Sequence, residues 1–244
     1  MKGNNLLITI VVGLVGLAAG FLLANTLNRS ELSTLRAEAE RRRGEEANGS
    51  RNLGANLSDE EINATIAQAD RSPNDFQTQR NVGIAIYRYG AMKQDAEVIK
   101  RSIAVLDRAA SLRPDDYDVV LTLGNANFDV GYFEKDNTAL AKARELYVKA
   151  LKARPNDPNV RTDLGLTYFL ETPPDFSSSV EEFKKALQTD PRHEKTLQFM
   201  VQALVKQNRN EEALEYLEQL RSVNPQNESI AELLAMIDGE QPAE

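Results

Sequence analysis

Five prolines, Pro73, Pro114, Pro155, Pro191 and Pro225, recur at intervals of 41, 41, 36 and 34 residues. Each closes an alanine- and leucine-rich stretch with the apolar spacing of an amphipathic helix, and another such stretch follows within a few residues. A helix-breaking residue repeating near 34 is the punctuation of stacked helical hairpins. Such an array buries its core between neighbouring units, so its working part is a shared surface and not a catalytic pocket.

The periodicity predicts four helix pairs: 76–91 with 94–112, 116–131 with 134–153, 157–171 with 176–189, and 192–208 with 210–223. Ser58-Asp-Glu-Glu61 is a capping box that opens a preceding helix ending near Arg71. A last helix over about 226–238 puts Ile230, Leu233, Leu234 and Ile237 on one face. The first two pairs carry seven extra residues each, close to two helical turns. Lengthened helices are therefore expected near 93–101 and 132–140, and these segments are where a private partner is first to be sought.

Specific residues recur at fixed offsets from the prolines. Ala109, Ala150 and Ala186 each lie five residues before one, with Leu106, Tyr147 and Phe183 three residues earlier. Val82-Gly83, Leu123-Gly124 and Leu164-Gly165 fall about ten residues after the preceding proline, and Tyr168 and Ala213 take further set positions. This pattern resembles the tetratricopeptide repeat, over about residues 58–238. The fourth pair departs from it, with Met200-Val201 and Leu220 at the matching places. The resemblance implies an all-α solenoid in which small residues let one helix sit into the next and proline starts the following helix.

Ahead of the array, Leu6 to Ala24 is a run of 19 residues without a charge. As a helix it would measure about 28 Å, against a hydrocarbon core of about 30 Å. A cleaved signal peptide is the competing reading, but the run continues past Ala18-Ala19-Gly20 through Phe21-Leu22-Leu23-Ala24, which favours an uncleaved single-pass anchor. Thr9, Gly13, Gly16, Gly20 and Ala24 would share one face of that helix, a trough of small residues suited to packing on a second transmembrane helix. The expected organisation is an anchor at 1–27, a polar helical stalk and flexible linker at 28–57, a solenoid at 58–238 and a tail at 239–244. Repeat units occupy about 76–116, 117–157, 158–193 and 194–227, flanked by helices at 58–71 and 226–238.

A bacterial-type inner membrane is the expected location. Arg29, Arg36 and Arg41 to Arg43 after the run favour a cytoplasmic domain. The layout of anchor plus repeats also looks like the tetratricopeptide subunits of cytochrome c maturation systems, which act outside the cytoplasm, so that resemblance implies the opposite side.

In the tetratricopeptide family, the first helix of each pair lines a concave groove. Carried onto this sequence, the resemblance implies groove residues Gln77, Arg80, Ile84 and Tyr87, then Asp118, Leu121, Asn125 and Phe128. The third and fourth pairs give Asn159, Thr162, Leu166 and Phe169, and Lys195, Gln198, Gln202 and Val205. This mix of aromatic, aliphatic and amide side chains suits an extended peptide or a partner helix. The family's lysine–asparagine clamp for a terminal carboxylate is not reproduced, since Arg80 is followed by Ile84.

A formal charge of −8 opposes a nucleic-acid role, and cysteine is absent, which removes thiol catalysis and thiolate metal sites. The single histidine, His193, reads as a solvated first-turn residue, and Asp115-Asp116-Tyr117-Asp118 as a helix N-terminus. No phosphate loop, metal-ligand cluster or nucleophile–base pattern is present. The expected activity is therefore non-catalytic protein binding, as a scaffold or as an assembly chaperone, with no cofactor, nucleic acid or small-molecule substrate. The expected partners are other proteins in the groove, the bilayer and a second transmembrane helix.

Overall fold

A computed structural model describes residues 57–239, which form ten α-helices in a single run: α1 (Asp59–Asp70), α2 (Phe76–Lys93), α3 (Ala96–Leu112), α4 (Tyr117–Glu134) and α5 (Asn137–Ala153), then α6 (Pro158–Leu170), α7 (Phe176–Thr189), α8 (Glu194–Lys206), α9 (Asn210–Val223) and α10 (Ile230–Asp238). Helices α2 to α9 pack as four hairpins, and each hairpin packs on the next. Among these residues no helix is long and apolar enough to cross a membrane. The apolar run Leu6–Ala24, its small-residue face (Thr9, Gly13, Gly16, Gly20, Ala24) and the stalk lie outside the described residues.

Ser58 caps α1 with the reciprocal Ser58–Glu61 hydrogen bonds of a capping box. The next six helices all start on an aspartate whose carboxylate accepts a backbone N–H of the first turn: Asp75, Asp95, Asp116, Asp136, Asp157 and Asp175. Pro73, Pro114 and Pro155 each lie two residues before one of these caps. The rhythmic prolines thus sit in the turns and stop the preceding helix; they do not occupy the first helical position, as expected from sequence. Pro158, outside the rhythm, takes that place in α6. In the fourth pair the caps are His193 and Arg209, and neither makes a side-chain cap bond. The final helix is shorter than its apolar pattern implies, because residues 226–229 turn before Ile230.

Hydrogen bonding to Ser178 is the main cause holding the Asp175 carboxyl below its usual range. Asp175→Ala is expected to cost about 1 kcal/mol at pH 7. A depressed pKa contributes stability above the unfolded value, near 3.9, and loses it as pH falls through the folded one. The difference between parent and variant in thermal melts should therefore vanish in acid below that range.

The hairpins are joined by glycines facing bulky residues. A Cβ on Gly83 would stand 2.7 Å from Leu106, on Gly124 2.9 Å from Tyr147, and on Gly165 2.5 Å from Phe183. These are the small and large positions picked out in the sequence, now facing each other across each pair. In the fourth pair Val201 takes the glycine's place and Leu217 the ring's, both fully buried.

The seven extra residues of the first two pairs are helical, and they are divided between both helices of each pair. Helices α2 and α4 have 18 residues against 13 in α6 and α8, and α3 and α5 have 17 against 14 in α7 and α9. Two-residue turns close them, with Gln94 and Lys135 in left-handed conformation (φ 55° at each). A second glycine contact lies seven residues beyond the first. Gly90 faces Ile99, and Gly131 faces Leu140. Seven residues are close to two turns, so the added layer repeats the same face.

Candidate protein-binding groove

The first helices of the pairs, α2, α4, α6 and α8, carry the residues assigned to a groove. In α2, Gln77 is exposed, Arg80 and Tyr87 are half-buried, and Ile84 is buried. In α4, Asp118, Leu121, Asn125 and Phe128 are all half-buried. In α6, Asn159 is exposed and Phe169 half-buried, while Thr162 and Leu166 are buried at 0% and 4% exposure. In α8, Lys195 is exposed, and Gln198, Gln202 and Val205 are half-buried. Ile84, Thr162 and Leu166 therefore fill seams between helices and offer no open surface.

Much of the polar set is used to hold successive helices in register. Arg80 pairs with Asp118, and its Nε lies 3.5 Å from Asp116 Oδ1. Tyr87 Oη donates to Asp129 Oδ2 at 3.0 Å, linking α2 to α4. Tyr147 Oη donates to Asn125 Oδ1 at 3.0 Å. Between α6 and α8, Lys195 Nζ is 2.6 Å from Asp163 Oδ1, and the Thr162 and Thr196 hydroxyls are 2.6 Å apart. Gln198 Nε2 donates to Asn227 Oδ1 at 2.9 Å.

His193 belongs to this ladder and is not a solvated first-turn residue. It is half-buried as the N-cap of α8, with Nδ1 2.6 Å from Thr196 Oγ1 and Nε2 3.0 Å from Asn159 Oδ1. Burial pushes its pKa down, so the ring is neutral at pH 7. A neutral ring fits these partners with the proton on Nε2, donating to the Asn159 carbonyl, and Nδ1 accepting from Thr196. Asp116 does cap α4, as the acidic run implies.

The aromatics at matching repeat positions serve two surroundings. Tyr87, Phe128 and Phe169 each pack one side on core residues. Phe128 meets Tyr147 with centroids 6.4 Å apart, and Phe169 meets Phe176 and Phe199 at 5.2 and 5.9 Å. Gln77, Leu121, Gln202 and Val205 also keep part of their surface open, so the open positions of the first helices are apolar and amide in character.

Two residues missed from sequence, Asp129 and Asp163, are bonded by the groove residues Tyr87 and Lys195 respectively. Burial raises the pKa of Asp129, the Tyr87 hydrogen bond opposes that, nearby Asp163 adds to it, and Lys195 offsets part of it. Burial, and then Asp129, push the Tyr87 phenol well above its ordinary value. A raised carboxyl pKa lowers stability as pH rises through the window between the unfolded and folded values. Asp129→Asn keeps an acceptor for Tyr87 and removes the charge. It should melt higher than the parent at pH 7, with the gap closing below the ordinary aspartate range; a lower melt at pH 7 would refute this. Among the described residues, no group of three or more His, Cys, Asp or Glu side chains is placed to hold a metal ion.

A tetratricopeptide repeat family profile matches residues 175–237, from α7 through α10. The described residues form a tetratricopeptide-like solenoid. Solved structures agree in fold. MamA of Desulfovibrio magneticus RS-1, from its residue 41 to the end, superposes with a TM-score of 0.55 at 20% identity, covering 70% of this chain and 87% of that one. A second MamA crystal structure gives 0.56 at 18% identity over 68% and 87% of the two chains. MamA of AMB-1 gives 0.53 at 23% identity over 68% and 89%. No curated protein matches the chain by sequence.

Proposed function

We propose that the chain is a membrane-anchored, non-catalytic scaffold that holds another protein in the groove of its first helices. The observation that carries this reading is the division of labour within the groove. Ion pairs and hydrogen bonds fix the helix spacing, which leaves a strip of Leu121, Phe128, Gln202 and Val205 with no dominant charge. A preformed, half-apolar strip suits an extended peptide or one face of a partner helix, because little ordering is needed on the scaffold side. The uncharged run Leu6–Ala24 supports the anchoring, and its small-residue face supports packing on another transmembrane helix.

The test is in-cell crosslinking followed by purification of the full-length chain, with Leu121→Arg and Gln202→Arg as groove variants. Leu214→Arg, at a side chain 42% exposed on α9, is the control. The same crosslinked partner should fall at least tenfold with either groove variant and persist with the control, all four proteins melting alike. A partner indifferent to both groove variants would sink the groove. Protease access in sealed membranes separates a scaffold on the cytoplasmic side from the second reading, an assembly chaperone of the cytochrome c maturation type, which requires export of the domain.

A further inference from the structure

The lengthened ends of the first two pairs carry three large exposed apolar side chains. Met92, in the last turn of α2, is 61% exposed, and Tyr132 and Phe133, in the last turn of α4, are 57% and 36% exposed. The two aromatic rings touch, with centroids 5.5 Å apart. The ends share one edge of the solenoid. Lys100, in the first turns of α3, pairs with Glu134 at 2.6 Å, which seats the end of α4 beside the two-residue turn that closes α2.

The chain enters the solenoid at this same edge. Leu57 is fastened to Tyr89, one turn before Met92, by two hydrogen bonds: its N–H donates to Tyr89 Oη at 2.9 Å, and that hydroxyl donates to its carbonyl at 3.2 Å. Between Ala24, the last residue of the uncharged run, and Leu57 lie residues 25–56. A segment of that length reaches at most about 110 Å when fully extended, and the edge beside Leu57 is where the described residues join it, so this edge is the part of the solenoid nearest the run along the chain.

We propose that this edge rests on the bilayer interface, with Met92, Tyr132 and Phe133 set among the lipid headgroups. The inference depends on the anchored reading above. Tyrosine at a helix end, apolar in body and wet at the tip, is interface chemistry, and the phenylalanine and methionine beside it add apolar surface that can enter the headgroup boundary. Three side chains fall far short of the roughly 800 Å² per partner that a stable protein interface buries, but a tether removes the need for independent affinity. Charges nearby are not basic on balance: Lys93, Lys100 and Lys135 stand with Asp95, Glu97, Glu134 and Asp136, and the acidic first turn of α1, Asp59 to Glu61, follows Leu57 at the same edge. Contact should therefore not require anionic lipid, unlike a basic surface patch. The opposite edge, where the prolines lie, is lined by Arg113, Asp115, Arg154 and Asp157.

The absence of cysteine allows a single dye per molecule. Full-length Met92→Cys, Lys152→Cys (last turn of α5, opposite edge) and Val15→Cys are labelled with a fluorophore and placed in phosphatidylcholine nanodiscs containing a lipid spin-labelled in the headgroup region or, for position 15, at the end of the acyl chain. Quenching at position 92 should exceed that at 152 at least threefold, should persist in high salt, and should fall when Tyr132→Ser and Phe133→Ser are added. Equal quenching at 92 and 152 overturns the proposal. So does a dye at 92 shielded from both lipid and aqueous iodide, which would place a second copy or the chain's own 28–56 segment there. Quenching at 15 without quenching at 92 rejects the edge alone, whereas its loss at 15 with no retention in discs rejects the anchor as well.

Discussion

Truncating Phe183 to alanine should destabilise the third repeat by about 3–5 kcal/mol, the range for a large aromatic lost from a core. The ring is fully buried, and the surface against it is Gly165, which has no side chain to move into the space. Phe199 on the next pair lies 6.4 Å away and would lose its neighbour too, so the damage crosses from one repeat to the next. The complementary change, Gly165→Ala, puts a Cβ 2.5 Å from the ring's Cε1 and should cost about 1–3 kcal/mol by overpacking. Because the two positions fill one contact, Gly165→Ala with Phe183→Leu should cost less than the sum of the singles. Urea denaturation of the parent, Gly165→Ala, Phe183→Leu and the double variant measures the cycle, with Phe183→Ala unfolded beside them. Additive singles, or a Phe183→Ala loss below about 1 kcal/mol, would mean that the pair is not one packing unit.

That contact was legible in the sequence because glycine and ring hold constant offsets from the prolines, and a solenoid repeats its environment at its own period. The caps were legible only in part. The acidic run at 115–118 marked the start of α4, but Asp75 and Asp157 occupy the same place two residues after a rhythmic proline, Asp175 follows Pro173-Pro174 outside the rhythm, and Asp95 and Asp136 have no proline to mark them. The groove was harder. Offsets along a helix give the direction of a side chain, whereas its exposure depends on what the neighbouring helix puts opposite it. Thr162 faces Thr196 and closes, while Leu121, at the equivalent place one repeat earlier, stays half-open. Asp129 lies one residue beyond Phe128 on the helix, so its bond to Tyr87 followed from tertiary packing alone.

The extended ends allow a sharper test of how the seven-residue layers work. A Cβ on Gly131 would lie 2.7 Å from Leu140 Cγ and Cδ2 and 3.1 Å from the Leu140 backbone nitrogen. A leucine side chain can swing aside, but the backbone of α5 cannot without opening the hairpin. Gly131→Val should therefore cost about 3 kcal/mol, at the upper end of overpacking penalties. The Gly124–Tyr147 contact two turns inward does not depend on Gly131. Amide hydrogen exchange should then lose protection over about residues 130–141 while the amides around Gly124 and Tyr147 keep theirs, as expected of a locally opening unit. Gly90→Val should do the same across α2 and α3, where the Ile99 backbone nitrogen would be 3.0 Å away. If protection instead falls evenly along the whole hairpin, the added residues are not a separable layer but part of one cooperative helix pair. In that case the edge bearing Met92, Tyr132 and Phe133 could not loosen without unfolding the repeats behind it.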